Sequence, residues 1–330
     1  MYYYLKGGKM KLKEKILNLL NEKETEFISG QYLAETFNVS RNAVWKAVNS
    51  LRKDGCNIYA VQNKGYTLDG GGIFTGEIIK SYMQSPVKIE YIPNVTSTND
   101  IIMEYGRKGI EEFTAVVADS QSSGRGRKGR IFYSPDNAGT YFSILLRPNI
   151  NFSESLYITT AAAAAVTEAM KQLYNMDTEI KWVNDIYYNG RKICGILTEA
   201  HLDMESGTVD YAALGIGINI FEPKESYNQD IKNIAGAAFC RSMFDNKIRC
   251  KITAKVIDIF YEYYKNLSNM TFLNVYKSRS FLTGKNITVE KNGIMQKAFV
   301  KGIDDKCRLS VLFENGIEEN LLSCEVSLSL

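Results

Sequence analysis

A chain of 330 residues with 45% hydrophobic side chains is long enough for two or three packed domains. Its net charge of +3 excludes nucleic-acid binding by bulk electrostatics, so any such contact must come from a local patch. Six scattered cysteines without a C-x-x-C pair, and a single histidine, His201, argue against a metal site and for a reducing, cytoplasmic compartment; no apolar run approaches the roughly 20 residues of a membrane span.

The opening Met1–Leu5 and Gly7-Gly8 match neither a targeting segment nor a helix, and Met10 fits as the start. Leu12, Ile16, Leu19 and Leu20 follow helical spacing. Ser29 fits an N-cap for a second helix carrying Leu33, Ala34 and Phe37. Asn38-Val39 form a tight turn, and Ser40 caps a third helix whose inner face is Val44, Val48 and Leu51, with Gly55 as its C′ residue. Ile58–Val61, a turn at Asn63-Lys64-Gly65, and Tyr66–Leu68 then make a hairpin, so residues 10–70 read as a winged helix-turn-helix. The helix-turn-helix spans about Gly30 to Asn49. Its third helix turns Arg41, Asn42, Trp45, Lys46, Asn49 and Arg52 outward, behind Ser40, as donors for phosphates and base edges. Trp45 reads bases poorly and fits packing on sugar or on the wing. Use of the winged helix for protein contact alone is the competing reading.

Asp69–Gly72 is a linker, and a second domain over 75–275 begins with a short helix, Gly76 to Met83, and a strand, Lys88–Ile92. Ser97-Thr98-Asn99 stand before an apolar-periodic helix, where they serve as caps or receive a small polar ligand group. The buried strand Thr114–Ala118 leads through Gln121 into Gly124-Arg-Gly-Arg-Lys-Gly-Arg130. By itself this run fits either a solvated basic linker or a loop that wraps an anion with backbone N–H groups and arginines. Its place between two core strands (the next is Thr140–Leu146) favours the second reading. Leu156–Tyr174, with five successive alanines, is a helix packed closely on a sheet. Glu179–Asp185, Ile186–Tyr188, the Asn189-Gly190 turn and Arg191–Ile193 form connected strands that bring Lys181, Asn184, Asp185 and Lys192 together. Cys194–Glu199 and Tyr211–Asn219 complete the sheet, the latter with glycines where a ligand or backbone comes close. Residues 221–248 read as loop and short helix, and Lys251–Leu267 as a helix. Short alternating strands at 286–290, 298–303, 309–313 and 317–322, with turns at Asn292-Gly293, Asp304-Asp305 and Asn315-Gly316, indicate a small barrel over 280–330.

Ser97-Thr-Asn99, the glycine-arginine loop, Lys181-Trp-Val-Asn-Asp185 with Arg191-Lys192, and Gly215-Ile-Gly-Ile-Asn219 together resemble the signature of the biotin–protein ligases. With a winged helix in front, the chain resembles the bifunctional biotin ligase and biotin operon repressor from about residue 10 to the end. The resemblance implies a multidomain α/β (α+β) fold: a winged helix-turn-helix, a central mixed-sheet, class II synthetase-like biotin/lipoate ligase domain, and a C-terminal SH3-like β-barrel. It implies a two-step reaction in which biotin and ATP form biotinyl-5′-AMP, with Mg²⁺ accompanying the nucleotide. A lysine of the biotin carboxyl carrier protein of acetyl-CoA carboxylase, or of a related carboxylase, then takes the biotinyl group. By motif match, Ser97, Thr98, Asn99 and Gln121 hold biotin, and Arg125, Gly126 and Arg127 close over the acyl-phosphate. Lys192 offsets its charge, and Gly124, Arg130, Lys181, Asn184 and Asn219 contact nucleotide. Asp185 joins Lys192, Arg125 and Arg127 in the catalytic set; for Asp185 and Asn184, placement of nucleotide, Mg²⁺ or the incoming lysine stay open. Biotinyl-5′-AMP is implied as corepressor, acting through a ligand-promoted homodimer that binds operator DNA. Val183 stands where the family usually has proline, and Ser329 where a basic residue is frequent. A lipoate–protein ligase and a non-enzymatic ligand-sensing transcriptional regulator are the alternatives.

Overall fold

Three amphipathic helices, α1 (Leu12–Glu22), α2 (Gly30–Thr36) and α3 (Arg41–Lys53), fold around Ile16, Leu20, Leu33, Val44, Val48 and Leu51. The computed structural model describes residues 11–23, 26–53, 56, 58–68, 74–203, 205–291, 293–322 and 325–328. Met10, Gly55, the linker Asp69–Gly72, Asn292 and Ser329 lie outside these residues. Two local caps start the second and third helices: Ser29 Oγ accepts from Tyr32 N at 3.0 Å, and Ser40 Oγ from Ala43 N at 3.1 Å. Asn38 takes φ 50° in the turn between them, a left-handed conformation that asparagine tolerates. The wing is β1 (Ile58–Val61) antiparallel to β2 (Gly65–Leu68). Ile28 exchanges both backbone hydrogen bonds with Tyr66 at 2.8 Å, tying the segment before α2 to the wing. Gly65 has φ 120°, and a Cβ there would lie 2.2 Å from Ile28 O, so this bridge requires glycine.

The chain falls into two compact units, residues 1–81 with 245–250, and residues 82–244 with 251–330. The first unit also holds α4 (Gly76–Tyr82) up to Ser81, and the fully buried Arg249, whose guanidinium stacks 3.9 Å from the Phe74 ring centroid.

The second unit is built on a seven-stranded mixed sheet of order β3-β5-β7-β11-β10-β9-β8. These strands are β3 (Lys88–Tyr91), β5 (Thr114–Ala118), β7 (Gly139–Leu146), β8 (Glu179–Lys181), β9 (Asp185–Tyr188), β10 (Arg191–Leu202) and β11 (Val209–Asn219). Only β3 and β5 run parallel; the other neighbours are antiparallel. A two-stranded parallel pair, β4 (Asn94–Val95) with β6 (Ser120–Gln121), flanks it. Helix α5 (Thr98–Arg107) covers one face through Ile102 against Val116, Leu145, Tyr211 and Ala213. Helix α6 (Ser155–Tyr174) packs on β10 and β11; Ala161–Ala165 are all fully buried, as alanines must be where a helix lies close to strands.

Three elements differ from the sequence reading. The stretch 179–185 is broken: β8 turns back at Trp182–Asn184 and pairs with β9, placing Lys181 opposite Asp185, and the Trp182–Val183 peptide is cis. Helix α7 spans Asn246–Lys265 and so begins five residues earlier than its apolar periodicity predicts, because its first turn buries a charged residue, Arg249. A short helix, α8 (Leu273–Ser278), precedes the C-terminal strands; six residues are too few for a periodic signal. Those strands, β12 (Asn286–Lys291), β13 (Ile294–Ile303), β14 (Leu309–Phe313), β15 (Glu318–Leu321) and β16 (Glu325–Leu328), form an antiparallel sheet of order β15-β14-β13-β12-β16. Among the described residues no ladder joins β15 to β16.

Candidate functional site

Strand alternation puts Tyr141 and Ser143 of β7, Gly195, Leu197 and Glu199 of β10, and Ala213, Gly215 and Gly217 of β11 on the face that α5 covers. Gly195 and Gly217 are direct cross-strand partners, and Leu197 faces Gly215. In this structure the space over these glycines holds side chains of the protein itself, Asn99 and Phe132. A Cβ on Gly215 would lie 2.2 Å from Asn99 Oδ1, and one on Gly217 would lie 2.4 Å from Phe132 Cε1. Phe132 also lies 2.9 Å from the position of a Cβ on Gly195.

At the start of α5, Ser97 occupies the N-cap position without making a capping hydrogen bond. The capping acceptor comes from β6: Gln121 Oε1 takes Thr98 N at 2.9 Å and Thr98 Oγ1 at 3.1 Å, while Gln121 Nε2 donates to Ser134 Oγ at 2.9 Å. Ser143 Oγ lies 2.7 Å from Thr98 Oγ1 and 2.6 Å from Asn99 Oδ1, its single proton serving one at a time. Asn99 Nδ2 donates to Glu199 Oε2 at 2.8 Å and Leu197 O at 3.3 Å. Ser97, Thr98, Asn99 and Ser143 are all buried. The structure therefore brings Thr98, Asn99 and Gln121 into one hydrogen-bonded wall, with Ser97 buried next to it.

The second wall carries the cation. A bulge between Lys192 and Cys194 shifts the β10–β9 register, so that Gly195 rather than Cys194 faces Asp185. The shift turns Lys192 toward the glycine face, with its Cε 3.4 Å from the position of a Cβ on Gly195. Lys192 Nζ lies 2.6 Å from Asp185 Oδ1, and both side chains are about three-quarters buried, with exposures of 26% and 22%. The solvent-shielded Asp185 Oδ1 receives this ammonium without a hydrogen bond of regular geometry. Asn184 is locked by Nδ2 to Ile196 O at 2.8 Å, leaving Oδ1 toward Arg127 Nη1 at 3.4 Å. The turn bearing these residues is anchored from outside the sheet: Tyr276 of α8 donates to Val183 O, and Trp182 Nε1 donates to Cys307 O, both at 3.0 Å.

The glycine-arginine loop is an ordered return between the two walls. Phe132 N donates to Gly124 O at 2.8 Å and Gly126 N to Arg130 O at 2.7 Å, with Lys128 (φ 55°) and Gly129 (φ 72°) at the tip. Gly124 sits against Phe132 O, Ser134 and Gln121, where a Cβ would come within 2.5 Å of a backbone oxygen. Arg125 and Arg127 have different partners. Arg125 Nη2 pairs with Asp100 Oδ1 at 2.5 Å and Glu199 Oε2 at 2.8 Å, whereas Arg127 points to Asn184. The segment after β11, read as loop and short helix, runs beside Lys192: Lys192 N donates to Ile234 O at 2.8 Å, and Gly236 N donates to Lys192 O at 2.9 Å. Asn219 Nδ2 holds the same segment through Gly236 O at 3.1 Å, and Tyr227 packs edge-on to Tyr133 at 6.1 Å. Burial pushes the Tyr227 phenol up to about 12, with Glu222 adding to the shift. Among the described residues no three His, Cys, Asp or Glu side chains group as a metal site.

In the first unit, α3 presents Arg41, Asn42, Trp45 and Lys46 to solvent, with Trp45 55% exposed, and Asn49 is half-buried. Arg52 is exposed as well, and it fastens α3 to the wing: its Nε donates to Ile58 O at 2.8 Å and its Nη1 to Asn49 Oδ1 at 3.5 Å.

Sequence reasoning missed Phe132, Ser143, Asp100 and Glu199. Ser143 carried a signal, a lone hydroxyl in the apolar run Thr140–Leu146; the other three acquire a place only through pairings distant in sequence.

Two comparisons of sequence and one of structure match this arrangement. Residues 91–219 match the biotin/lipoate A/B protein ligase family, and residues 13–67 match an HTH domain. The chain is 30% identical over 328 residues to the bifunctional ligase/repressor BirA of Bacillus subtilis, covering 96% of this chain and 98% of the relative. It is also 30% identical over 197 residues to the BirA of Escherichia coli, covering 59% of this chain and 60% of that protein. Among solved structures, the biotin protein ligase from Aquifex aeolicus in complex with biotin and ATP is similar with a TM-score of 0.60 and 27% identity, over 73% of this chain and 98% of that one. The chain belongs to the family of bifunctional ligase/repressors built on the biotin/lipoate A/B protein ligase domain.

Proposed function

We propose that this chain is an ATP-dependent biotin–protein ligase that also represses transcription. The observation that carries the reading is the Lys192–Asp185 pair, set beside Asn184 and Arg127 and facing the Gln121–Thr98–Asn99 wall, in a chain that matches a bifunctional ligase/repressor almost end to end. The reaction joins two anions, the biotin carboxylate and the α-phosphate of ATP, to give biotinyl-5′-AMP and pyrophosphate. Fixed cations and donors are what such a transition state requires. Ser97, Thr98, Asn99 and Gln121 bind and orient the biotin head. Lys192 offsets charge at the carboxylate and α-phosphate, and Arg125, Gly126 and Arg127 cover the acyl-phosphate. Gly124, Arg130, Lys181, Asn184 and Asn219 place the nucleotide. Mg²⁺ would accompany the nucleotide and neutralise phosphate charge; Asp185, whose Oδ1 lies 2.6 Å from the Lys192 ammonium, positions Lys192. The carrier-domain lysine then attacks the acyl carbon and displaces AMP.

We assign residues 10–70 to operator binding, 75–275 to catalysis, and 280–330 to an SH3-like barrel supported by five antiparallel strands with a register shift in β13. Biotinyl-5′-AMP acts as corepressor by favouring a homodimer. Incubation with ATP, Mg²⁺, biotin and an apo biotin carboxyl carrier domain, followed by intact mass, tests the reading. One biotinyl group added to the carrier is expected. Addition of lipoate instead, or no ATP-dependent addition, overturns it.

A further inference from the structure

One oxygen, Glu199 Oε2, accepts from both Asn99 Nδ2 and Arg125 Nη2, each at 2.8 Å. Asn99 is 4% exposed and belongs to the α5 wall, while Arg125 opens the glycine-arginine loop. Asp100 pairs with the same Nη2 at 2.5 Å through its Oδ1. A carboxylate can only accept, so Glu199 fixes the Asn99 amide with Nδ2 toward β10 and Oδ1 toward Ser143. The same atom holds the first arginine of the loop, although Asn99 and Glu199 are 100 residues apart.

We infer that Glu199 is a positioning residue that joins the loop to the ligand-head wall, with Asp100 as a second anchor acting on Arg125 alone. This rests on the biotin-ligase reading for its ligand, while the loop anchoring stands on geometry. Glu199→Gln keeps an acceptor oxygen and preserves the join; Glu199→Ala removes it, leaving Asn99 Nδ2 with Leu197 O alone. Asp100→Asn weakens the loop anchor and spares Asn99.

The full-length chain and the three variants are compared in two measurements: equilibrium binding of biotin without nucleotide, and the rate of trypsin cutting within 125–130 without ligand. Glu199→Ala is expected to weaken biotin about tenfold, the scale of one lost charge-assisted hydrogen bond, and to speed cutting severalfold. Glu199→Gln stays within about threefold of the parent in both, a bound set by the lost charge. Asp100→Asn speeds cutting with biotin affinity unchanged. Parental affinity and cutting in Glu199→Ala overturn the inference, as does a Glu199→Gln variant equal to Glu199→Ala. A parent chain that binds no biotin while the cutting pattern holds refutes the biotin reading alone.

Discussion

Lys192 and Gly195 share one face of β10 although they are three positions apart, because the bulge between Lys192 and Cys194 inserts an extra residue opposite β9. In a regular strand an odd separation sends side chains to opposite faces. The bulge thus delivers the Lys192 ammonium to Asp185 on the ligand side of the sheet.

Replacing Lys192 with alanine removes that charge and strands the Asp185 carboxylate. Biotin-dependent ATP–pyrophosphate exchange is expected to fall by about 10²–10³, as for loss of a transition-state donor. Stability should drop by about 1–3 kcal/mol, from a partly buried carboxylate without its partner. Adding Asp185→Asn should recover most of the stability and none of the exchange. Near-normal exchange in Lys192→Ala refutes the assigned role.

The glycine face makes a steric prediction. Gly217→Ala puts a Cβ 2.4 Å from the Phe132 ring, so the ring must move or the strands must part. A loss of about 1–3 kcal/mol in thermal unfolding is expected from such overpacking, with weaker biotin binding. Phe132→Leu should relieve the clash in the double variant; equal destabilisation with either side chain at position 132 shows that the glycine acts through the backbone alone.

On α3, Arg41 and Lys46 are exposed, as is Arg52, whose Nε is engaged with Ile58 O. Arg41→Ala/Lys46→Ala should abolish operator shifts in gels at moderate salt while leaving carrier biotinylation intact. If both cations contact phosphate, the salt slope of log K changes by about 2. Unchanged affinity places the DNA contact elsewhere.

Burial raises the Tyr187 and Tyr227 phenols to about 12, with Asp185 and Glu222 respectively adding to it. The unfolded value is about 10, so the folded state holds these protons more tightly. Their contribution to stability is fully present below about pH 10 and is lost as pH rises through about 12. Tyrosinate absorbance should therefore appear for these two groups only above the range of exposed tyrosines, and Tyr187→Phe with Tyr227→Phe should flatten the alkaline fall in stability. Their ionisation near pH 10 in the folded chain contradicts the burial.

Where a feature depends on near neighbours in the chain, residues alone were enough. The periodicity of Ile16, Leu33, Val44 and Val48, the caps at Ser29 and Ser40, and the Asn189-Gly190 turn located the winged helix and the central hairpin, because helix, cap and turn energies act over four or five residues. The motif residues Ser97–Asn99, Gly124–Arg130 and Lys181–Asp185 were visible too, as was the family they resemble. Their arrangement was not. That Gln121 caps α5, that Phe132 fills the space over Gly195 and Gly217, that Glu199 joins Asn99 to Arg125, and that α8 holds the turn before Asp185 are decided by contacts between residues tens to a hundred positions apart. The bulge at Lys192 belongs with them: a strand slips register only against a partner strand, so its sign and place exist only once β9 and β10 are paired.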